Sequence, residues 1–245
     1  MSYENPLESA DRGPAGPLAR GISELGLAVP AEAQQAMLAY LGLLARWNRV
    51  YNLTAIIAPH EMVIRHLLDS LSVARDLTGP RVLDVGTGAG LPGIPLALVY
   101  PEWQFVLLDS NAKKTRFVTQ AAAELHLSNV SVVTGRVESY RPAQCFDNIV
   151  CRAFAGLHEI VRHTRHLCCP GGILVAMKGE YPVTELASLP PDVTVGEVRA
   201  VTVPGLGAER HVVRLLFSSN LVESDAEGNR ASVLIPAMVT QGERA

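Results

Sequence analysis

Asp84-Val85-Gly86-Thr87-Gly88-Ala89-Gly90-Leu91-Pro92-Gly93 follows an apolar run that begins at Val82 and precedes Ile94-Pro95-Leu96-Ala97-Leu98. This order predicts a strand, a tight glycine turn and the start of a helix. Glycine adopts the backbone angles that such a turn demands and adds no side chain. A ligand can therefore approach main-chain N–H groups at the positive end of the helix.

Strand and helix patterns alternate downstream of this turn. After the helix to about Val99, strands are expected over Phe105–Leu108, Val130–Val133 and Phe146–Cys151, with helices over about Lys113–Leu125 and Leu157–Leu167. Pro170-Gly171-Gly172 is read as a turn into the apolar strand Ile173–Met177. Short crossover helices between buried strands imply a parallel, doubly wound sheet. Val193–Val203 and His211–Phe217 then read as an antiparallel hairpin around Pro204, Gly205 and Gly207, closing the sheet. Upstream, Met37, Leu41 and Leu44 recur at helical spacing, and a second helix is expected from about His60 to Arg75. The division expected is a flexible leader over 1–20, one domain over 21–219 with a helical preface over 31–75, and a polar tail over 220–245.

The chain has 245 residues, 48% hydrophobic and 18% charged, enough for one α/β domain with a substantial core. Its formal charge of −3 supplies no global positive field, so an RNA substrate would need a local patch of Lys and Arg. No stretch has the length and apolarity of a signal peptide or membrane span, and a cytoplasmic monomer with no membrane partner is expected. Cys145, Cys151, Cys168 and Cys169 lack metal-site spacing; no metal is expected, and the four are read as reduced structural thiols.

Two cofactors fit the glycine turn. Gly88, Gly90 and Gly93 satisfy GxGxxG, and Asp109 stands 21 residues beyond Gly88, where a dinucleotide fold places its ribose acid. A nicotinamide or flavin oxidoreductase is one reading. In a second register, Asp84 precedes Gly86, Gly88 and Gly90, which resembles motif I of class I S-adenosylmethionine methyltransferases. There a carboxylate can meet the cofactor's ammonium, and the helix N-terminus its carboxylate. Asp109 suits either ribose. The Pro-Gly-Gly turn and closing hairpin favour the methyltransferase, whose fold is a mostly parallel seven-stranded Rossmann-like sheet with an antiparallel final strand, behind N-terminal helices. Cys151-Arg152-Ala153-Phe154 stands where exocyclic-amine methyltransferases carry an Asn/Asp-Pro-Pro-aromatic motif. A Cys151 thiolate attacking a pyrimidine ring is a minor alternative.

A set of ordered motifs resembles the RsmG (GidB) family across roughly residues 20–217. They are Asn48-Arg49-Val50-Tyr51-Asn52-Leu53-Thr54-Ala55, Arg65-His66-Leu67-Leu68-Asp69-Ser70-Leu71, the glycine turn with Leu91-Pro92-Gly93, Leu107-Leu108-Asp109-Ser110, Arg136-Val137-Glu138, Arg152-Ala153-Phe154-Ala155, Lys178-Gly179 and Glu209-Arg210-His211. The resemblance implies a 16S ribosomal RNA guanine-N(7) methyltransferase that uses S-adenosylmethionine and acts on 16S rRNA or the small subunit. It places cofactor contacts at Gly86, Leu91, Val137, Glu138 and Arg152, beside Asp84, Gly88 and Asp109 from the residue reading. Cys151 replaces a common Ser, and Gly207-Ala208 a more usual Asp-Gly.

Nitrogen 7 of guanine carries a lone pair and no proton, so no general base is expected. Arg65, His66, Lys178, Arg210 and His211 are the candidates for positioning the substrate, with Asp69 expected to orient His66 from three residues along the helix. A non-catalytic cofactor-binding scaffold in ribosome assembly is the competing reading from another functional class.

Overall fold

The structure is a computed structural model and describes residues 13–152 and 155–217. Among these residues, seven strands form one sheet: β1 (Arg81–Val85), β2 (Gln104–Asp109), β3 (Val130–Thr134), β4 (Phe146–Arg152), β5 (Cys168–Lys178), β6 (Val193–Ala200) and β7 (His211–Phe217). Their order is β3-β2-β1-β4-β5-β7-β6. The first five pair in parallel, whereas β7 runs antiparallel between β5 and β6. Val82–Val85 is buried without alternation, as expected of a central strand covered on both faces. The helices α5 (Gly93–Val99), α6 (Ala112–Glu124), α7 (Leu157–Thr164) and α8 (Val183–Ala187) follow their strands. The sheet separates two hydrophobic clusters, the larger of which packs α5 and α6 and also takes in the N-terminal helices, while the smaller packs α7. Among the described residues, no helix is long and apolar enough to cross a membrane.

Several expectations are corrected. The leader does not extend to residue 20, because α1 (Ala15–Glu24) is a helix that buries Leu18 and Ile22 against the fold. Residues 1–12 and the tail expected over 220–245 lie outside the described residues, as do Ala153 and Phe154. α2 (Ala31–Tyr51) buries Met37, Leu41 and Leu44 as the periodicity predicts.

The second preface helix is not uniform. α3 (Pro59–Met62) passes into a π-helical stretch, Val63–Leu68, then α4 (Asp69–Leu71) and a 3-10 turn, Ala74–Asp76. Pro170-Gly171-Gly172 lies within β5 as an irregularity: Phe146 pairs with Cys168 and Asn148 with Ile173, so β5 carries extra residues between these two partners. Gly171, with φ +78, supplies the left-handed step.

That bulge also overturns the reading of four reduced thiols. It leaves Cys169 facing Cys145, the residue before β4, and the two form a disulfide across 24 positions. Cysteine spacing could not reveal this pairing, because the register of β5 on β4 creates it.

Candidate active site

The glycine turn is fixed from three sides. Gly86 and Thr87 donate their N–H groups to Leu108 O on β2 at 2.8 and 3.1 Å. Asp84, buried at the end of β1, accepts from Thr87 Oγ1 at 2.6 Å and from Gly93 N–H at 2.9 Å through Oδ2. A Cβ on Gly93 would stand 2.8 Å from that carboxylate oxygen, which explains glycine where α5 begins. The third support comes from α2, where buried Tyr40 donates its hydroxyl to Ala89 O at 2.7 Å. Gly86 and Gly88 take φ values of +69 and +61, a region closed to most side chains.

The N–H of Gly93 is therefore occupied by Asp84. The other Asp84 oxygen, Oδ1, is buried without a protein donor. Burial raises the Asp84 pKa to about 6 despite the Thr87 and Gly93 bonds and the nearby charge of Arg152.

Beside the turn, a cleft of about 210 Å³ opens at the carboxyl ends of β1 and β2, with Gly86, Asp109, Lys114, Gly135, Val137 and Glu138 among its walls. This edge of an open α/β sheet is where ligands bind. Asp109 accepts from Gly88 N–H at 2.9 Å through Oδ2 and from Asn111 N–H at 2.8 Å through Oδ1. Each oxygen keeps further acceptor capacity, enough for a pair of vicinal hydroxyls. A Cβ on Gly135 would meet nothing within 4 Å, and one on Gly88 only Gly86 O at 3.9 Å, so the cradle stays open.

A second cavity, of about 370 Å³, lies where β4 and β5 end. Arg65, His66, Asp69, Arg152, Lys178 and Arg210 line it, with Ile56, Met177 and Gly179. Four of these residues carry guanidinium or ammonium groups, and they come from segments spread over 145 positions of sequence. Asp69 joins two of them, accepting from Arg152 Nη1 at 3.2 Å and from Arg210 Nε at 2.8 Å. Arg152 also donates to Arg65 O at 3.0 Å.

Asp69 thus does not orient His66. His66 lies within a π-helical stretch and Asp69 follows it directly; the i→i+5 bonding puts more residues into each turn, so a residue three positions on is no longer the nearest neighbour. His66 instead contacts Thr54 Oγ1 through Nε2 at 3.0 Å. Burial, reinforced by Arg152, lowers the His66 pKa to about 4, so the ring is neutral near pH 7.

The remaining candidates are placed as follows. Lys178 Nζ donates to Ala155 O at 3.0 Å and to Glu185 Oε2 at 2.7 Å, which commits much of its bonding capacity. Arg65 pairs with Glu61. His211 Nδ1 contacts Gly179 O at 3.0 Å. Gly86, Asp109, Val137 and Glu138 share the first cleft and Arg152 the second. Leu91 is buried in the larger core cluster.

Cys151 is 1% exposed, and burial pushes its thiol up to about 12, so neither its access nor its ionisation suits thiolate attack on a pyrimidine. Sequence reasoning missed Tyr40, Lys114 and Glu185. Tyr40 falls in phase with the apolar face of α2, and nothing in that pattern marks its hydroxyl.

The strand order, with an antiparallel β7 inserted beside β5 and a cleft under a glycine turn, defines a class I S-adenosylmethionine-dependent methyltransferase fold. An Aquifex aeolicus S-adenosylmethionine-dependent methyltransferase superposes with a TM-score of 0.52, covering 70% of this chain and 97% of that one at 19% identity. The family model for GidB, rRNA small subunit methyltransferase G, matches residues 33–213. Ribosomal RNA small subunit methyltransferase G of Nitrosococcus oceani is 52% identical over 198 residues, 81% of this chain and 92% of its own length. Its counterpart from Chromobacterium violaceum is 53% identical over 201 residues, covering 82% and 96%. The chain belongs to the rRNA small subunit methyltransferase G family.

Proposed function

We propose that this protein is a 16S rRNA (guanine-N(7))-methyltransferase, moving a methyl group from S-adenosylmethionine to nitrogen 7 of one guanine in small-subunit rRNA. The observation that carries this reading is the pairing of two cavities along one sheet edge. One offers a carboxylate beside an open glycine cradle, and the other is walled by four cations, two of them held by buried Asp69. The first suits a nucleoside, the second an RNA segment.

Gly86 and Gly88 form the cradle, Asp109 accepts the ribose hydroxyls, and Val137 with Glu138 meets the adenine edge. Leu91 supports the turn from the core. Asp84 Oδ1, an acceptor with no protein donor, answers the cofactor's ammonium. Arg152, held between Asp69 and Arg65 O, lines the second cavity and reaches the cofactor from there. Arg65, His66, Lys178, Arg210 and His211 position the substrate. The enzyme acts as a monomer in the cytoplasm, without a membrane partner.

S-adenosylmethionine, when bound, supplies an electrophilic methyl on a sulfonium, and the electron pair of the C–S bond stays with sulfur. The guanine lone pair forms the new bond and no proton leaves, so no side chain has to act as a base. Neutral His66 and the protonated Cys151 thiol agree with that chemistry. The protein's work is alignment of nitrogen, methyl and sulfur, for which orientation supplies up to roughly 7–11 kcal/mol. Fixed dipoles assist as charge moves from sulfur to the purine.

Borohydride and aniline cleavage of 16S rRNA tests the assignment. RNA from the parent strain should break at one guanine and RNA from a deletion strain should not; identical patterns reject it. Calorimetry with S-adenosylhomocysteine and NAD tests the cofactor, with binding expected for the thioether alone.

A further inference from the structure

We infer that Tyr181 and His211 form a stacking platform for the base of the nucleotide adjoining the methylated guanine, with Arg210 on the phosphate between the two nucleotides. This rests on the methyl-transfer reading above and concerns a surface that adjoins the second cavity and shares Arg210 with it.

Tyr181 lies just beyond β5 and is 50% exposed. It packs edge-on to His211, the first residue of β7, with ring centroids 5.5 Å apart and planes at 85°. His211 is itself fixed. A carbonyl oxygen only accepts, so the 3.0 Å contact to Gly179 O puts the hydrogen on Nδ1 and holds the ring in place. The pair therefore presents a braced aromatic surface.

A cavity of about 690 Å³ opens over this pair, and Arg210 lines both it and the 370 Å³ cavity assigned to the RNA, where we place the target guanine. One cation stands at the boundary of two base-sized spaces, as one phosphate stands between two successive nucleotides. Asp69 holds Arg210 through Nε and Glu209 O accepts from Nη1, which leaves other guanidinium N–H groups for an anion. Glu209 also borders the outer cavity and Glu180 precedes Tyr181. These carboxylates disfavour a phosphate on the Tyr181 side and tolerate a neutral base.

The occupant follows from the substrate chemistry. A guanine placed in a protein cavity leaves its stack, so the neighbouring base loses a partner. An exposed aromatic ring replaces it, and stacking tolerates any base because each presents a π-face.

The test uses full-length protein and small subunits from the deletion strain. Tyr181→Ala should raise KM for subunits about 5- to 100-fold, with S-adenosylhomocysteine affinity and thermal midpoint unchanged. Tyr181→Phe should restore KM, whereas Tyr181→Leu, apolar but without a ring, should not. A photo-crosslinking p-benzoylphenylalanine at position 181 should capture the nucleotide next to the guanine mapped by cleavage. An unchanged KM in Tyr181→Ala, rescue by Leu equal to Phe, or a crosslink to a ribosomal protein overturns the platform while methyl transfer stands. Wild-type protein that transfers no methyl to subunits overturns the function and the platform with it.

Discussion

Asp109 is the residue on which the cofactor cleft depends most directly. Its carboxylate holds the Gly88 N–H and keeps acceptor capacity on the cleft side. Asp109→Ala should lower S-adenosylhomocysteine affinity about 10- to 100-fold, the range for losing charge-assisted hydrogen bonds, with calorimetry as the measure. His66 makes a prediction about pH. Its folded pKa of about 4 lies below the unfolded value of about 6.5. Below 6.5 the unfolded chain therefore binds a proton that the folded one refuses. The stability this gives is full above pH 6.5 and is lost as pH falls towards 4. Asp84 has the opposite sign: raised to about 6, it contributes stability that is lost as pH rises through that value. The two windows overlap, so the His66 contribution is read as the difference between wild type and His66→Gln. In urea unfolding, wild type should lose about 2 kcal/mol more than the variant between about pH 7 and pH 5. Asp84, Gly86 and Asp109 were legible in the sequence because their spacing is local. The Asp69 clamp was not, since its partners lie 83 and 141 positions away.

At the scale of elements, α2 and α6 read correctly because each buries a regular face, and β1 and α5 because each is a short apolar run buried almost throughout. The irregular elements did not. A π-helical stretch has the composition of an α-helix, yet it changes which residues face one another and so turns Asp69 away from His66. The β5 bulge hides in a Pro-Gly-Gly that equally suits a turn, and it brings Cys169 to Cys145. Closing a loop of 24 residues should stabilise the fold by about 3 kcal/mol. A reductant should accordingly lower the urea midpoint of wild type and leave that of Cys145→Ser unchanged; equal midpoints with and without reductant would show that the bond contributes nothing.

For the molecule as a whole, a formal charge of −3 coexists with a cavity whose walls hold Arg65, Arg152, Lys178 and Arg210. Association with small subunits should therefore weaken with salt through local phosphate contacts. Raising salt from about 50 to about 200 mM should raise KM for subunits while leaving S-adenosylhomocysteine affinity nearly unchanged, and Arg210→Ala should flatten the dependence by about one phosphate contact. The sequence by itself determined the α/β class, the glycine turn with its two acids and, through its ordered motifs, the family, because strand, turn and helix signals are written over a few adjacent residues. Only the tertiary structure decided which cations share a cavity, that Asp69 binds two of them, which cysteines bond and that Tyr181 meets His211. Those relations join residues far apart in the chain, and the register of the sheet and the packing of its helices set them.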